Sequence, residues 1–200
     1  MTTRAPRGRP RSFDREAALA QATTLFWEKG YEATSIADLT EVMGIRAPSL
    51  YAAFGDKRAL FDEVVASYQQ TFGAFSSRAL EEEPTTRAGI ARLLREAARE
   101  YSLPGRPHGC LIVSAAVNCG SQGVRLALRE IRNAAIAELE RRIAAAVECG
   151  EEPAESDPAA LARFTGAVIQ GMSQQARDGA DRTELEGVAE AAMRAWPPRR

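Results

Sequence analysis

The sequence predicts an all-α protein of about nine helices, divided into an N-terminal three-helix helix-turn-helix domain and a larger helical C-terminal domain. Apolar residues recur every three or four positions through successive segments, which places them on one face of a helix. Glycine, proline and capping residues separate these segments, and no stretch shows the alternation of a half-buried strand. The pattern indicates three parts, residues 1–12, 13–58 and 59–200.

Composition alone favours no class of partner, but the distribution of charge does. The 200 residues are 45% hydrophobic and 26% charged, with a net charge of −1, which is typical of a globular protein. Residues 1–12 hold four arginines and no acid, and this Pro- and Gly-bearing arm is predicted to be disordered when free. Two interpretations stay open: a solubilising tail, or an arm in which Arg9 and Arg11 contact DNA phosphates or the minor groove.

The cysteines and the apolar pattern indicate a compartment. Cys110, Cys119 and Cys149 are an odd number and lie far apart, unlike the cysteines of a secreted disulfide scaffold. The N-terminus lacks the apolar core of a signal peptide, and no apolar run is long enough to cross a bilayer. We therefore expect a cytoplasmic protein with no membrane partner.

The first helix has a recognisable start and end. It follows Asp14, whose carboxylate can accept the first backbone N–H groups of a helix. Gly30 ends it, because glycine readily adopts the left-handed conformation that follows a helix. Thr34 or Ser35 then caps the second helix. A hydroxyl cap leaves N–H groups of the helix directed outward, which suits a phosphate.

Residues 34–57 form two short amphipathic helices joined by a tight turn at Gly44. Leu39 lies on the apolar face of the first helix, and Leu50 and Phe54 lie on that of the second. Two helices joined by a short glycine-containing turn form a helix-turn-helix, whose second helix enters the major groove of DNA. We therefore interpret the N-terminal domain, hereafter the head, as a DNA-binding domain.

The C-terminal domain, hereafter the body, follows as a series of longer helices. The first is predicted to run from residue 57 through Phe72 and Phe75, connecting the head to the body. Firm breaks occur at 102–107, which contains two prolines and a glycine, and at the acidic loop 150–158. Further helices are predicted at 86–101, 122–149 and 160–176, with a last helix that reaches Trp196, and a short apolar segment spans 108–118.

Several short runs in the head occur together at a fixed spacing. They are the GI turn at 44–45, the LYAAF ending of the second helix at 50–54 and the KRALF run at 57–61. With the capped second helix, they resemble the N-terminal domain of the TetR family of bacterial transcriptional repressors over residues 13–61. The resemblance implies a repressor that binds a palindromic double-stranded operator DNA. In the body it extends only to the number and order of helices.

The resemblance also implies which residues contact DNA. It assigns phosphate contacts to Thr34, Tyr51 and Lys57, and groove contacts to the start of the second helix. Position 46 departs from the family pattern, because it holds arginine where a small capping residue is usual. An Arg–guanine contact is the most frequent specific base contact, and a phosphate contact is the alternative for Arg46. The whole predicted set is Arg9, Arg11, Thr34, Ser35, Arg46, Ala47, Pro48, Ser49, Tyr51 and Lys57.

For the body, the resemblance implies a homodimer and a small-molecule effector, with no cofactor besides that unidentified effector. One head alone would bind weakly, so two heads are expected to bind together. An effector releases DNA if it binds the DNA-incompetent state more tightly. The predicted pocket residues are Tyr68, Phe72, Phe75, Leu94, Tyr101, Cys110 and Val113. The predicted dimer residues, on the last two long helices, are Leu161, Phe164, Val168, Met172, Val188, Ala192 and Trp196.

The sequence offers weaker support for three other classes of protein: a thiol- or metal-responsive regulator, a helical interaction protein and an enzyme. His108, Cys110 and Cys119 leave open a thiol- or metal-responsive regulator, although their spacing matches no zinc pattern and no metal site is predicted. A helical interaction protein without specific DNA binding is a second alternative, and the basic arm and Arg46 argue against it. An enzyme is not expected, because the sequence has one histidine and no nucleophile motif, phosphate loop or metal-ligand cluster.

Overall fold

The computed structural model describes residues 14–115 and 117–197. Within these residues the chain forms ten helices and no strand, and one of the ten is a single turn. The prediction of an all-α fold with about nine helices is confirmed. The helices are α1 Arg15–Ala33, α2 Ile36–Val42, α3 Ala47–Phe54, α4 Lys57–Gln70, α5 Phe75–Glu82, α6 Thr86–Tyr101, α7 Leu111–Ser114, α8 Gln122–Glu148, α9 Pro158–Arg177 and α10 Arg182–Ala195.

Helix α1 is capped at its start and broken near its end. A carboxylate oxygen of Asp14 accepts from the backbone N–H groups of Glu16 and Ala17, at 3.0 and 3.1 Å. Gly30 has φ of 79°, so the regular helix stops there, as its sequence predicts. The Thr34 hydroxyl donates to the Gly30 carbonyl at 2.7 Å, which closes the turn that leads to α2.

Two hydrophobic clusters hold the described chain together. One joins α1–α4 to α7 and the start of α8, and the other packs α5 and α6 against α8, α9 and α10. Cys110, just before α7, contacts both clusters. Each fully buried large apolar side chain contributes about 1.5–3 kcal/mol. Because α7 supplies Leu111 and Ile112 to the first cluster, the head helices are anchored directly onto the body.

The predicted long connecting helix is wrong, because the structure breaks it after Gln70. Thr71 leaves the helical region with φ of −110° and ψ of −87°. The Gly73 N–H instead donates to the Tyr68 carbonyl at 2.8 Å, which turns the chain into α5. Phe72 therefore leaves the apolar stripe of α4 and packs on Trp27, with ring centroids 5.3 Å apart.

Helix α9 packs on α8 and α10, and one of its small residues, Gly166, serves a contact within the chain. A Cβ atom at Gly166 would lie 3.1 Å from the side chain of Ile136 in α8. Close approach at Gly166 therefore belongs to the packing of α9 on α8. No helix in the described part of the chain is both long and apolar enough to cross a membrane.

Candidate nucleic-acid interface

The start of α2 is fixed by a reciprocal pair of hydrogen bonds. The Asp38 N–H donates to the Ser35 hydroxyl at 3.0 Å, and the Ser35 N–H donates to the Asp38 carboxylate at 2.8 Å. The hydroxyl and N–H of Ser35, and then Lys29, stabilise the charged carboxylate and lower the pKa of Asp38 to about 2. Ser35 is thus the residue that caps α2, in the arrangement known as a capping box.

Thr34 does not take the role its sequence position suggested. Its residue is fully buried, and its hydroxyl already donates to the Gly30 carbonyl. A buried hydroxyl with an internal acceptor is not presented to a phosphate in this conformation. Of the two predicted capping residues, Ser35 alone lies at the surface.

The turn between α2 and α3 depends on Gly44. Its φ is 64°, in the left-handed region where a side chain is strained, and no atom lies within 4 Å of a Cβ built there. The Ile45 N–H then donates to the Thr40 carbonyl at 3.1 Å. This closes the turn and directs the chain into α3.

Helix α3 begins without a side-chain cap. Arg46 precedes it in an extended conformation, and its carbonyl accepts from the N–H groups of Ser49 and Leu50 at 2.9 and 3.1 Å. Pro48 lies in the first turn, where its missing N–H removes no hydrogen bond of the helix. The Arg46 side chain is therefore not needed to cap the helix that it precedes.

The two faces of α3 differ sharply in exposure. Leu50 and Phe54 are buried in the head core, whereas Arg46, Ser49 and Tyr51 are exposed. Among the described residues, the Arg46 guanidinium and the hydroxyl groups of Ser49 and Tyr51 have no hydrogen-bond or ion-pair partner. Pro48 is also exposed, and Ala47 is half-buried. The structure thus gathers the predicted groove residues on one outward-facing surface.

Lys57 lies beside this surface at the start of α4. Its ammonium is 4.4 Å from the centre of the Tyr31 ring, so the end of α1 holds it by a cation–π contact. The first turn of α4 is capped by Asp56, whose carboxylate accepts from the Ala59 N–H at 2.8 Å. The remaining predicted contacts, Arg9 and Arg11, lie outside the described residues.

Arg15 is a residue that sequence reasoning missed. Its guanidinium pairs with Glu63 on α4, donates to the Ala53 carbonyl at the end of α3 and lies 4.4 Å from the centre of the Phe54 ring. One side chain thereby fastens α1, α3 and α4 to one another. Its exposed position at the start of α1 gave no sequence signal of this role.

The predicted effector-pocket residues lie in two different environments. Tyr68, Phe75, Leu94 and Tyr101 are buried in the two cores, and Val113 is half-buried. Phe72 is 36% exposed. The structure therefore places four of the predicted residues in packed core, and brings Phe72 out to the surface where Trp27 and Tyr68 meet.

Cys110 lies at the junction of the two cores, beside two phenol groups. Burial, followed by the neighbouring Cys110 thiol, raises the pKa of both Tyr68 and Tyr101. The Cys110 N–H donates to the Ser173 hydroxyl on α9 at 2.8 Å. Cys110 thus joins the buried ends of three helices.

The structure does not bring together His108, Cys110 and Cys119, the residues of the thiol- or metal-responsive alternative. The Cys119 thiol contacts the Glu32 carboxylate at 3.5 Å, while a ring nitrogen of His108 faces the Ala176 carbonyl at 3.2 Å. Within residues 14–115 and 117–197, no three His, Cys, Asp or Glu side chains converge as a metal site would require. Burial also raises the pKa of the Cys119 thiol, which makes it less reactive.

The predicted dimer residues also divide into two groups. Met172, Ala192 and Trp196 are buried in the core of their own chain, and the Trp196 indole N–H donates to the Glu152 carboxylate at 3.2 Å. Phe164 is 37% exposed, and Leu161, Val168 and Val188 are half-buried. Only this second group is available to a partner.

A cleft of about 400 Å³ separates the end of α1 from the body. Trp27 and Tyr31 line it from the head, and Ser114, Gln174 and Arg177 line it from the body. Arg177 crosses between the two sides, because it donates to the backbone carbonyls of Trp27 and Glu28 at 3.2 Å each. The cleft therefore lies where the end of α1 meets the body.

The order of α1 to α3, with the outer face of α3 exposed and unpaired, defines a helix-turn-helix protein on an all-helical body. The chain belongs to the TetR family of transcriptional regulators. The family described as "Bacterial regulatory proteins, tetR family" matches residues 18–64, and the "Tetracyclin repressor-like, C-terminal domain" matches residues 89–192. The resemblance seen in the head sequence is therefore confirmed, and it extends through the body.

Three similar proteins span almost the whole chain. The HTH-type transcriptional repressor ComR of Escherichia coli (strain K12) is 36% identical over 194 residues, 96% of this chain and 92% of its own. The repressor BdcR of the same organism is 32% identical over 189 residues, 93% of this chain and 89% of its own. A cysteine-substituted form of the TetR family regulator CifR, complexed with 26-base-pair operator DNA, superposes with a TM-score of 0.89. It is 42% identical and covers 95% of this chain and 100% of its own.

Proposed function

We propose that this regulator is a repressor that binds a palindromic operator as a homodimer and is released from it by a small molecule. The observation that carries the proposal is the exposed face of α3, on which Arg46, Ser49 and Tyr51 have no partner among the described residues. Polar groups held on a rigid helix without internal partners are available to base edges and phosphates. The structural neighbour CifR, complexed with operator DNA, supports DNA binding as the function.

Individual residues take different parts in this binding. Arg46 and Ser49, at the start of α3, are proposed to reach base edges in the major groove. Tyr51, Lys57 and Ser35 are proposed to contact phosphates and so set the register of the helix on DNA. The activity is equilibrium binding and not catalysis, and its proposed location is the cytoplasm, where the DNA partner lies.

Dimerisation is proposed through the surface of α9 and α10. Phe164 is exposed, and Leu161, Val168 and Val188 form a partly exposed apolar surface beside it. Pairing two bodies would place two copies of α3 on one face of DNA, about 34 Å apart. A Phe164→Glu variant is expected to sediment as a monomer of 21.7 kDa, while the unchanged protein sediments at twice that mass.

Arg46→Ala tests the DNA proposal directly, with Arg129→Ala as its matched control. Arg129 is an exposed arginine of α8 with no partner among the described residues, so both variants lose one unpaired charge. For a fluorescently labelled operator, Arg46→Ala is expected to weaken binding by about 1–3 kcal/mol, as the loss of a base contact does. Equal operator affinities for the two variants would contradict the proposed role of α3.

A further inference from the structure

Three aromatic side chains pack against one another where the head meets the body. Trp27 comes from α1, Tyr68 from α4, and Phe72 from the turn that follows α4. The Trp27 ring centroid lies 5.0 Å from that of Tyr68 and 5.3 Å from that of Phe72, and the latter two are 6.0 Å apart. Aromatic faces carry partial negative charge, so a group of this kind attracts cations. We call Trp27, Tyr68 and Phe72 the aromatic cage.

Two members of the aromatic cage, Trp27 and Phe72, already hold a cation that the chain itself supplies. The Arg106 guanidinium carbon lies 5.6 Å from the Trp27 ring centroid and 5.3 Å from that of Phe72. Its guanidinium also pairs with the Glu100 carboxylate and donates to the Glu100 carbonyl. Aromatic faces together with one carboxylate are the groups with which proteins recognise organic cations.

The segment that carries Arg106 begins as an exposed connection after α6. Arg106 lies in the connection between α6 and α7, next to Gly105, whose φ is 84°. Leu103, Pro104 and Gly105 are exposed, whereas the Arg106 side chain is only 14% exposed. An exposed Pro- and Gly-containing connection can withdraw one side chain without disturbing the helices on either side.

Two buried N–H groups at this site, one on Arg106 and one on Trp27, lack hydrogen-bond partners among the described residues. Their nitrogen atoms are the Arg106 Nε and the Trp27 Nε1. Buried N–H donors are normally paired, and leaving them unpaired is unfavourable. Trp27 is itself 2% exposed, so water does not reach most of its surface. A ligand that carries a hydrogen-bond acceptor beside its cationic group would satisfy a donor that Arg106 leaves unpaired.

We propose that the aromatic cage and Glu100 form a binding site for a small organic cation, which Arg106 occupies in the absence of ligand. The inference rests on the proposed effector-released function and names the chemical class of the effector. Trp27 also lines the cleft of about 400 Å³ at the end of α1, so the proposed site and the cleft share this residue. Displacing Arg106 changes contacts of α1 in the head and of the turn after α4, so occupation of the site alters how the head is held.

Benzamidine and benzamide test the proposal on the full-length protein by titration calorimetry. They have the same ring and nearly the same shape, but only benzamidine is a cation at neutral pH. Benzamidine is expected to bind and benzamide is not. Glu100→Gln removes the counter-charge and is expected to weaken benzamidine binding on the order of tenfold. Arg106→Gln removes the internal competitor and is expected to strengthen it on the order of tenfold.

Arg95→Gln is the matched control for Arg106→Gln, because both variants lose one positive charge. Arg95 is an exposed residue of α6 with no partner among the described residues, and its loss is expected to leave the dissociation constant for benzamidine unchanged. Arg106→Lys gives a second variant of the competitor. Lysine lacks the planar guanidinium and is a weaker competitor for the site. The benzamidine affinity of Arg106→Lys is therefore expected to fall between those of the unchanged protein and of Arg106→Gln.

Operator binding is measured on the same samples by fluorescence anisotropy. Benzamidine binding that weakens operator affinity supports both the cation site and its role as effector site, whereas unchanged operator affinity overturns that role. Equal binding of benzamide, or no gain in affinity from Arg106→Gln, overturns the cation site and leaves the DNA proposal standing. Cation binding by a protein that binds no DNA sequence would instead reject the proposed repressor function.

Discussion

The guanidinium of Arg177 donates to the backbone carbonyl of Trp27 across 150 positions of sequence, at 3.2 Å. Its second nitrogen donates to the Glu28 carbonyl at the same distance. Both carbonyls lie next to the break at Gly30, where the regular pairing of α1 is interrupted. A body helix thus completes the hydrogen bonding of a head helix, which couples the orientation of the two parts.

Removing this contact should loosen the head without unfolding it. In Arg177→Ala, the amides after Gly30 are expected to exchange with solvent faster, because two hydrogen bonds worth about 1 kcal/mol each are lost. Arg163→Ala, an exposed change on the same helix, serves as the control. Hydrogen exchange followed by mass spectrometry measures both, and equal exchange in the two variants would show that Arg177 does not couple head to body.

Lys57 should contribute one phosphate contact. Replacing it by glutamine is expected to lower the slope of log affinity against log salt by about 1, because one fewer counterion is released. Lys29→Gln is the control, because it makes the same charge change at a head residue that pairs with Asp38. The measurement is operator affinity over a salt series. A slope that Lys57→Gln leaves unchanged would remove Lys57 from the interface.

Substitutions of Leu50 and Tyr51, which are neighbours on α3, are expected to affect different properties: stability for Leu50 and operator affinity for Tyr51. Leu50 is fully buried, so Leu50→Ala is expected to lower the free energy of unfolding by about 2–5 kcal/mol. Tyr51 is 50% exposed, and Tyr51→Phe is expected to leave stability unchanged while weakening operator binding. Urea unfolding and operator titration separate the two. Loss of stability in Tyr51→Phe with normal stability in Leu50→Ala would mean that the two faces of α3 are misassigned.

The two thiols that flank α8, Cys119 and Cys149, should differ in reactivity. Burial raises the pKa of Cys119, which reduces its reactive thiolate at neutral pH, whereas Cys149 is exposed. Iodoacetamide at neutral pH is therefore expected to alkylate Cys149 well before Cys119, as followed by peptide mass spectrometry. In denaturant both should react at similar rates. Fast alkylation of folded Cys119 would reopen the thiol-responsive alternative.

The head was predictable because its signals are local. Gly30 and Gly44 adopt the left-handed conformations that their positions required, and Leu50 and Phe54 face the core as the helical spacing indicated. Turn glycines, caps and apolar periodicity act within a few residues, so they can be recognised from a single sequence. The choice between Thr34 and Ser35 as the cap of α2 was not predictable, because it depends on which hydroxyl finds an internal acceptor.

The body was less predictable because its contacts join distant residues. The break after Gln70 has no proline to signal it, so the pattern predicts a continuous helix there. Gly166 packs on Ile136, thirty positions earlier in the sequence. Arg106 and Arg177 carry no local signal, since an arginine in a loop and one at a helix end are normally solvated. Their partners are fixed by how α1 lies on the body, and apolar periodicity does not report that geometry.

The most direct test of the regulator proposal is selection of bound sites from random double-stranded DNA by the unchanged protein. The proposed dimer predicts enrichment of an inverted repeat whose half-sites are centred about one helical turn, or a multiple of it, apart. It also predicts that Arg46→Ala relaxes selection at one symmetric pair of positions while leaving the spacing unchanged. Enrichment of no sequence, or of a single unrepeated half-site, would contradict the proposal that two copies of α3 read an operator together.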